Sequence, residues 1–434
     1  MLDRRTTPVG GCRVRGPEKH GRSREPLAGV GLALTVIVRT LAALALLPFV
    51  FVAACSSSAE PDEDDVIADG EPAEAESAIV PITQPDETAS PSSLAPAPLK
   101  YTESRLLDVR GVGDSGWSKT HEATPIPAAF GAALDRFDAT GQVYRGDLSF
   151  INWETVIGNG CTQFGSAYSP GRSYAFVSRA ANLTQAHERG FNLVGLSNNH
   201  TRDCHASADT PARGENASPA MTAKALEGLG DLDWITAGVA ATNENDVAQA
   251  KVRTFTIKGR QVRVAFGSLY MGRPSCPRAT CAGDSRALFE SLRDAPADLR
   301  ILAVHSMAAA DQDQLVRKSI EFVERYRGDV VFGHGPHVWK PVRVVRKETG
   351  GKGVIFESLG NFLHPSLAAQ SKNYIGRALF DPQTLALRQV QVIPVANAGK
   401  DARLSTADGK TVESNLRWSR MEGSATAVYA NVTP

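Results

Sequence analysis

Seven side chains able to hold a cation or move a proton share one placement, directly after a short apolar run. They are Asp114 after RLLDV and GVG, Glu154 after DLSFI and NW, Asn199 and His200 after FNLVGL, His305 after LRILAV, and His334 and His337 after DVVF. A lone polar residue at such a point is usually a turn or cap. Their recurrence points instead to one shared edge. Carboxylate, amide and imidazole together suit a borderline or hard divalent ion such as Zn, Mn or Fe, whereas an all-oxygen set would favour Mg or Ca.

The elements that must position these groups follow from the pattern between them. Each apolar run reads as a buried strand that delivers a loop at its carboxyl end. SRAANLTQAHERG and SPAMTAKALEGLG are helical patterns that stop at Gly, and DQLVRKSIEFVERYRG has apolar positions at helical spacing. This alternation predicts an α/β layered fold with the site at the carboxyl edge of a sheet. No heptad, short repeat or low-complexity break interrupts residues 99–434, so one large domain is expected there. The tail beyond Phe380 (LALRQVQVIPV, then SATAVYANV) is strand-like and is expected to close the sheet.

The first hundred residues have another character. LAALALLPFVFVAA at 41–54 is too short to span a bilayer comfortably, follows an Arg-rich stretch and ends on small residues before Cys55. Residues 1–55 are therefore expected to be a signal peptide ending in a lipobox, with Cys55 lipidated and the protein held on the bacterial cell envelope, at the outer membrane if the host has one. Residues 56–98 contain eleven acids, seven prolines and no Lys or Arg. Such a segment cannot bury enough apolar surface to order itself and predicts an extended tether. The zero overall charge thus hides 39 basic against 33 acidic side chains in residues 99–434, a net +6 that mildly favours anionic partners. An exported chain can keep disulfides, and the remaining cysteines are even in number. Cys276 and Cys281 enclose a Pro-containing loop, and a Cys161–Cys204 bridge would join two loops of the site.

The ordered series GVGDSGWSK, INWET, LSNNHTRD, VHSM, VFGHGPHVWKPV and ESLGNFL resembles the signatures of the CapA (PgsA-like) proteins of poly-γ-glutamate capsule synthesis. The resemblance runs from Leu106 to Phe362. It implies a metallophosphatase-like (calcineurin-like phosphoesterase) sandwich, with mixed β-sheets flanked by helices, over residues 99–434. It further implies one or two divalent ions, with Asp114 and His337 serving one, Asn199 and His305 the other, and Glu154 between them. His200 would protonate a leaving group, oriented by Asp203. Lys119, His334 and Asn361 would meet the substrate, Lys119 as a point charge where the family often has Arg. The implied partners are polyglutamate or another anionic polymer, a membrane reached through the lipid anchor, and other membrane proteins of capsule synthesis, with no nucleic acid. Departures from the family are as specific. Gly335 stands where a His is usual, Ser306-Met307 replace Trp-Gly, and no His follows two residues after Asp114, so a weakened or single-ion site, or none, is expected. His334 alone could stand in for the missing imidazole.

Other readings compete. A metal-dependent hydrolase and a non-catalytic polymer-binding lipoprotein both fit the motifs. GVGDSG also spells GxGxxG, but Pro125 and Pro127 interrupt the helix that dinucleotide binding needs. Gly-Asp114-Ser115 resembles the nucleophile block of GDSL esterases, in which Ser115 would attack an acyl group. His121, His187, His205 and His364 carry no repeated spacing and read as surface, capping or rim residues.

Overall fold

The computed structural model describes residues 105–434 apart from 121, 165–173, 243, 365–371, 397–398, 400–401, 406–421, 424–427 and 432–434. The expected signal peptide, Cys55 and the tether lie outside the described residues, as does His121. Among the described residues no helix is long and apolar enough to cross a membrane.

In chain order the strands begin with β1 (Leu107–Ser115), β2 (Leu148–Trp153), β3 (Val156–Ile157), β4 (Gln163–Phe164), β5 (Val177–Ser178), β6 (Leu193–Gly195), β7 (Cys204–Ala206) and β8 (Ile235–Ala237). They continue with β9 (Lys251–Ile257), β10 (Arg260–Tyr270), β11 (Leu299–His305), β12 (Val330–His334), β13 (Trp339–Arg346) and β14 (Lys352–Leu359). The last are β15 (Asn373–Phe380), β16 (Leu387–Ala396), β17 (Arg403–Leu404), β18 (Glu422–Gly423) and β19 (Val428–Asn431). The helices are α1 (Phe130–Asp138), α2 (Ala180–Glu188), α3 (Ala217–Glu227), α4 (Ser285–Asp294) and α5 (Ala309–Arg325).

One sheet has nine strands in the order β18-β19-β16-β15-β1-β2-β6-β8, with β17 on β16, and another has six in the order β13-β14-β12-β11-β10-β9. Both are mixed. β1, β2, β6 and β8 run parallel in the first, and β10, β11, β12 and β14 in the second, while their outer pairings are antiparallel. The parallel strands are apolar on both faces because each face is covered. On β2, Phe150 enters a core shared with Phe266, Ile301 and Phe332 of the second sheet, whereas Ile151 packs with Phe130, Leu134 and Leu183 of α1 and α2. On β11, Leu302 and Val304 face Leu288, Phe289 and Phe322 of α4 and α5. The result is helix, sheet, sheet, helix: the layered α/β sandwich of mixed sheets that was expected.

Three local results refine the reading from sequence. GVGDS is not a loop after a strand, because β1 runs through Ser115. It reaches that far by a shift in its pairing with β2 at Gly113, where the Gly360 carbonyl approaches so closely that a Cβ would collide with it. Asp114 then donates its N–H to that carbonyl at 2.9 Å, and its own carbonyl accepts from Phe362 N at 2.7 Å. The tail adds β16, β18 and β19 to the first sheet beyond β15. Two disulfides, Cys161–Cys204 and Cys276–Cys281, stand at the loop ends.

Candidate metal centre

The carboxyl ends of β1 and β2 from one sheet and of β11 and β12 from the other meet around Asp114. Its Oδ1 accepts from Asn152 Nδ2 at 2.7 Å and lies 3.7 Å from His305 Nδ1 and 3.6 Å from His334 Nδ1. Its Oδ2 accepts from Gly335 N at 3.0 Å and lies 3.1 Å from His337 Nδ1. The two oxygens of one carboxylate therefore face two donor groups. Asp114, His305 and His334 form one, Asp114, Glu154 and His337 the other, with the ligand atoms of each group all within 4.8 Å of one another.

Local backbone explains why these residues converge. Asn152 lies in β2 and Glu154 follows two positions later, so strand alternation turns both to the same side. His305 and His334 are paired neighbours at the ends of β11 and β12, their Nδ1 atoms 2.7 Å apart. Gly335 has a φ of +111°, and a Cβ there would collide with the Ser306 carbonyl oxygen. No L side chain fits that site without rebuilding it. His337 also has a left-handed φ, +58°, which costs a non-glycine residue energy, and its ring is held by Asn361 Oδ1 at 2.7 Å.

Burial and close carboxylate–imidazole contacts dominate the electrostatics of the centre. Burial would raise Asp114, but the His337 hydrogen bond and the nearby imidazoles hold it well below the usual carboxylate range. Burial and the Asp114 charge push Glu154 up to about 8. Burial disfavours a charged His337, yet the Glu154 and Asp114 carboxylates lift it to about 10. Burial drives His305 well below the usual imidazole value and His334 down to about 4. Both Glu154 oxygens, Asn152 Oδ1, His305 Nε2 and His334 Nε2 are buried without a hydrogen-bond partner. Such atoms are costly to leave unmatched. Their shared remedy is a cation, and this donor set fits a divalent one.

Beside the donor groups, Asn199 begins a 3-10 turn that Asn198 caps through its side chain. His200, in the same turn, meets Asp203 Oδ2 through Nδ1 at 2.9 Å, and that oxygen also accepts from Phe176 N at 2.7 Å. Burial opposes a charged His200, but Asp203 more than offsets it and raises the imidazole pKa. The Phe176 ring packs 4.4 Å from the His200 ring. Asn199 Oδ1 is buried without a partner.

Several residues stand elsewhere than expected. The shared carboxylate is Asp114, since Glu154 belongs to one donor group only, because the end of β1 projects between the two sheets. His334 lies with Asp114 and His305 in one group that could hold a cation, rather than apart from them at a substrate contact. Two groups of side chains that could hold a cation share Asp114. Asn361 uses its Oδ1 to orient His337. Lys119 is a surface residue, 69% exposed, and pairs with Glu122 rather than with any group of the centre. Ser115 is buried with its hydroxyl donated to the Gly113 carbonyl at 3.0 Å, an arrangement unlike an imidazole-activated nucleophile. His187 packs against Trp234. His364 is not at the rim: it is fully buried beside Phe176. Asn152 was not anticipated, although its place two residues before Glu154, at the end of an apolar strand pattern, was a usable signal.

No family model and no curated protein matches the chain. Solved structures similar to it include two of low identity. One, described as a novel phosphatase of Mycoplasma pneumoniae, is 12% identical with a TM-score of 0.40, covering 68% of this chain and 95% of that one. The other, a hypothetical protein from Thermus thermophilus, is 16% identical with a TM-score of 0.36, covering 65% of this chain and 96% of that one.

Proposed function

We propose that residues 99–434 form a CapA-like, metallophosphatase-like domain that hydrolyses phosphoester bonds with a divalent ion. The observation that carries this reading is the Asp114 carboxylate, shared between two buried donor groups with the His200–Asp203 pair alongside. An ion bound there would supply Lewis-acid stabilisation of charge developing on phosphoryl oxygens. The protein's own residues supply the rest. Asp203 holds His200 Nδ1, which leaves Nε2 to give a proton to the departing oxygen, and Phe176 fixes the plane of the ring. Gly335 N and Asn152 Nδ2 orient the Asp114 carboxylate. The buried neutral histidines His305 and His334 present lone pairs rather than positive charge. Mn, Zn and Fe all suit the nitrogen and oxygen donors, with Asn199 Oδ1 as a further ligand.

We place the protein on the cell envelope, anchored through Cys55 and spaced by residues 56–98. Its partners there would be an anionic polymer, poly-γ-glutamate among the candidates, and the membrane proteins that make it, not nucleic acid. Two disulfides are consistent with an oxidising compartment. The test uses the purified full chain incubated with Mn, Zn or Fe and assayed on bis-p-nitrophenyl phosphate. Stoichiometric metal and turnover that falls ~10²- to 10⁴-fold in His200→Ala, with metal retained, is the expected result. A metal-free protein that still retains polyglutamate on a column would favour the non-catalytic binder and end the hydrolase reading.

A further inference from the structure

Glu154 of the cation groups and His200, the proposed proton donor, belong to different segments of the chain, and a closed circuit of hydrogen bonds joins them. Trp153, the last residue of β2, accepts at its carbonyl from Asn198 Nδ2 at 3.0 Å. Asn198 Oδ1 accepts in turn from His200 N at 3.1 Å. The His200 ring meets Asp203 Oδ2 at 2.9 Å, and that oxygen accepts from Phe176 N at 2.7 Å. The Phe176 carbonyl accepts from Val156 N at 3.1 Å, which closes the circuit two residues past Glu154. Glu154 donates its own N–H to the Ser115 carbonyl at 2.8 Å, beside Asp114.

The circuit has two arms between β2 and the turn. One runs through Val156, Phe176 and Asp203. The other is a single side chain, Asn198, which uses its NH₂ as a donor toward β2 and its oxygen as an acceptor toward His200. It is 3% exposed, and Trp153 is fully buried. The turn does not need this reach for its own shape. Asn198 N donates to Thr201 Oγ1 at 2.8 Å, Thr201 Oγ1 donates to the Leu196 carbonyl at 2.6 Å, and Ser or Asp would cap His200 N as well as Asn does. The amide is required only by the bridge, since an ionised Asp has no donor and Ser is too short to span it.

We propose that Asn198 is a positioning residue that sets the spacing between the cation groups and His200 by tying the end of β2 to the turn. This rests on the phosphoester-hydrolase reading above and adds to it a residue that acts through His200 rather than on the substrate. The phosphoryl group would be held at the Asp114 and Glu154 end and the departing oxygen at His200. An error in their spacing therefore falls on protonation of the departing oxygen.

The test uses the Mn-loaded full-length protein and two diesters, bis-p-nitrophenyl phosphate and diphenyl phosphate. Phenolate is the more basic leaving group and depends more on a proton from His200. Asn198→Ser keeps the cap and loses the bridge, and is expected to lower kcat ~10- to 100-fold on diphenyl phosphate. The fall on bis-p-nitrophenyl phosphate should be smaller, with KM and Mn content unchanged. In a His200→Ala background the same substitution should alter kcat by no more than about twofold, because its effect passes through the imidazole. Unchanged kcat, equal losses on the two diesters, or the full loss repeated in the His200→Ala background each overturn the proposal and leave the hydrolase reading standing. Wild-type protein that binds Mn and hydrolyses neither diester overturns both. If Asn198→Ser does not fold, Asn198→Asp, which keeps the capping oxygen and lacks the donor, decides by the same measurements; failure of both to fold marks a purely structural residue and overturns the proposal.

Discussion

The two ends of β1 each bury an aspartate, and they treat it in opposite ways. At the amino end Asp108 is clasped by two guanidiniums. Arg110 reaches it at 2.8 Å and Arg377 at 2.6 Å, while their remaining donors go to the Val143 carbonyl and Gln391 Oε1. At the carboxyl end of the same strand, Asp114 faces imidazoles, and the Glu154 carboxylate, 3.5 Å from His305 Nε2, accepts no hydrogen bond. One end has matched its charges from within the protein, and the other keeps buried polar atoms that make no hydrogen bond among the described residues. A buried carboxylate is therefore no sign of function by itself; what separates the two cases is whether its neighbours are satisfied.

This contrast breaks most sharply at the carboxyl end. Asp114→Asn should reduce metal affinity by more than ~100-fold, beyond the usual cost of losing a mere supporting partner. The metal-free melting temperature should fall less than it does for the change at Asp108. Metal analysis and a thermal scan of the same sample test both halves.

Asp108→Asn should do the reverse. It leaves two buried guanidiniums facing an amide, and removing one partner of a buried ion pair costs ~3–5 kcal/mol. Urea unfolding would show that loss, while the folded protein should still take up metal. Retained stability here would mean that the arginines find other acceptors.

Asn152→Ala probes the support of Asp114 rather than the ligand itself. Losing the 2.7 Å bond to Oδ1 should weaken metal binding ~10- to 100-fold with little effect on the metal-free fold.

The smallest separation is expected in pH dependence, where the signs differ. Burial opposes ionisation of Asp108, but the hydrogen bonds and charges of Arg377 and Arg110 lower it below its ordinary 3.8. Its contribution is then fully present above that value and disappears as pH falls through the lower folded one. Glu154 is raised from 4.5 to about 8, so across that interval the folded protein holds a proton that the unfolded chain has released. Metal-free stability should therefore decline from this group as pH rises through that window, and metal affinity should climb over the same range as the proton becomes easier to displace. Urea midpoints measured from acid to mildly alkaline pH, with and without metal, would resolve the two limbs. Asp108→Asn should flatten only the acid limb.

Much of this was legible in the sequence. Apolar runs ending in Asp114, Glu154, His200, His305 and His334 marked the strands and the edge they share, because buried parallel strands must be apolar throughout and their loops must carry the polar chemistry. The α2, α3 and α5 helices were visible in periodicity and in their Gly stops. Three things were not. Gly335 looked like the loss of a ligand, and only the fold shows that its left-handed backbone lies against the Ser306 carbonyl and aims its N–H at Asp114. His364 looked peripheral, since a single His after LGNFL has no spacing partner; its burial depends on Gly116 and Phe176, which are distant in sequence. Asp108, Arg110 and Arg377 drew no attention, because the bond between Asp108 and Arg377 spans 269 positions.

The sequence by itself determined the inventory: which residues could donate to a cation, which strands would deliver them, and that both disulfide partners were present. Only the tertiary structure decided the roles, because a role depends on which lone pairs remain unmatched after folding. Asp114 became the shared carboxylate because two sheets bring their carboxyl edges to either side of it. Asp108, on the same strand and of the same chemistry, became structural because two arginines reached it first in space.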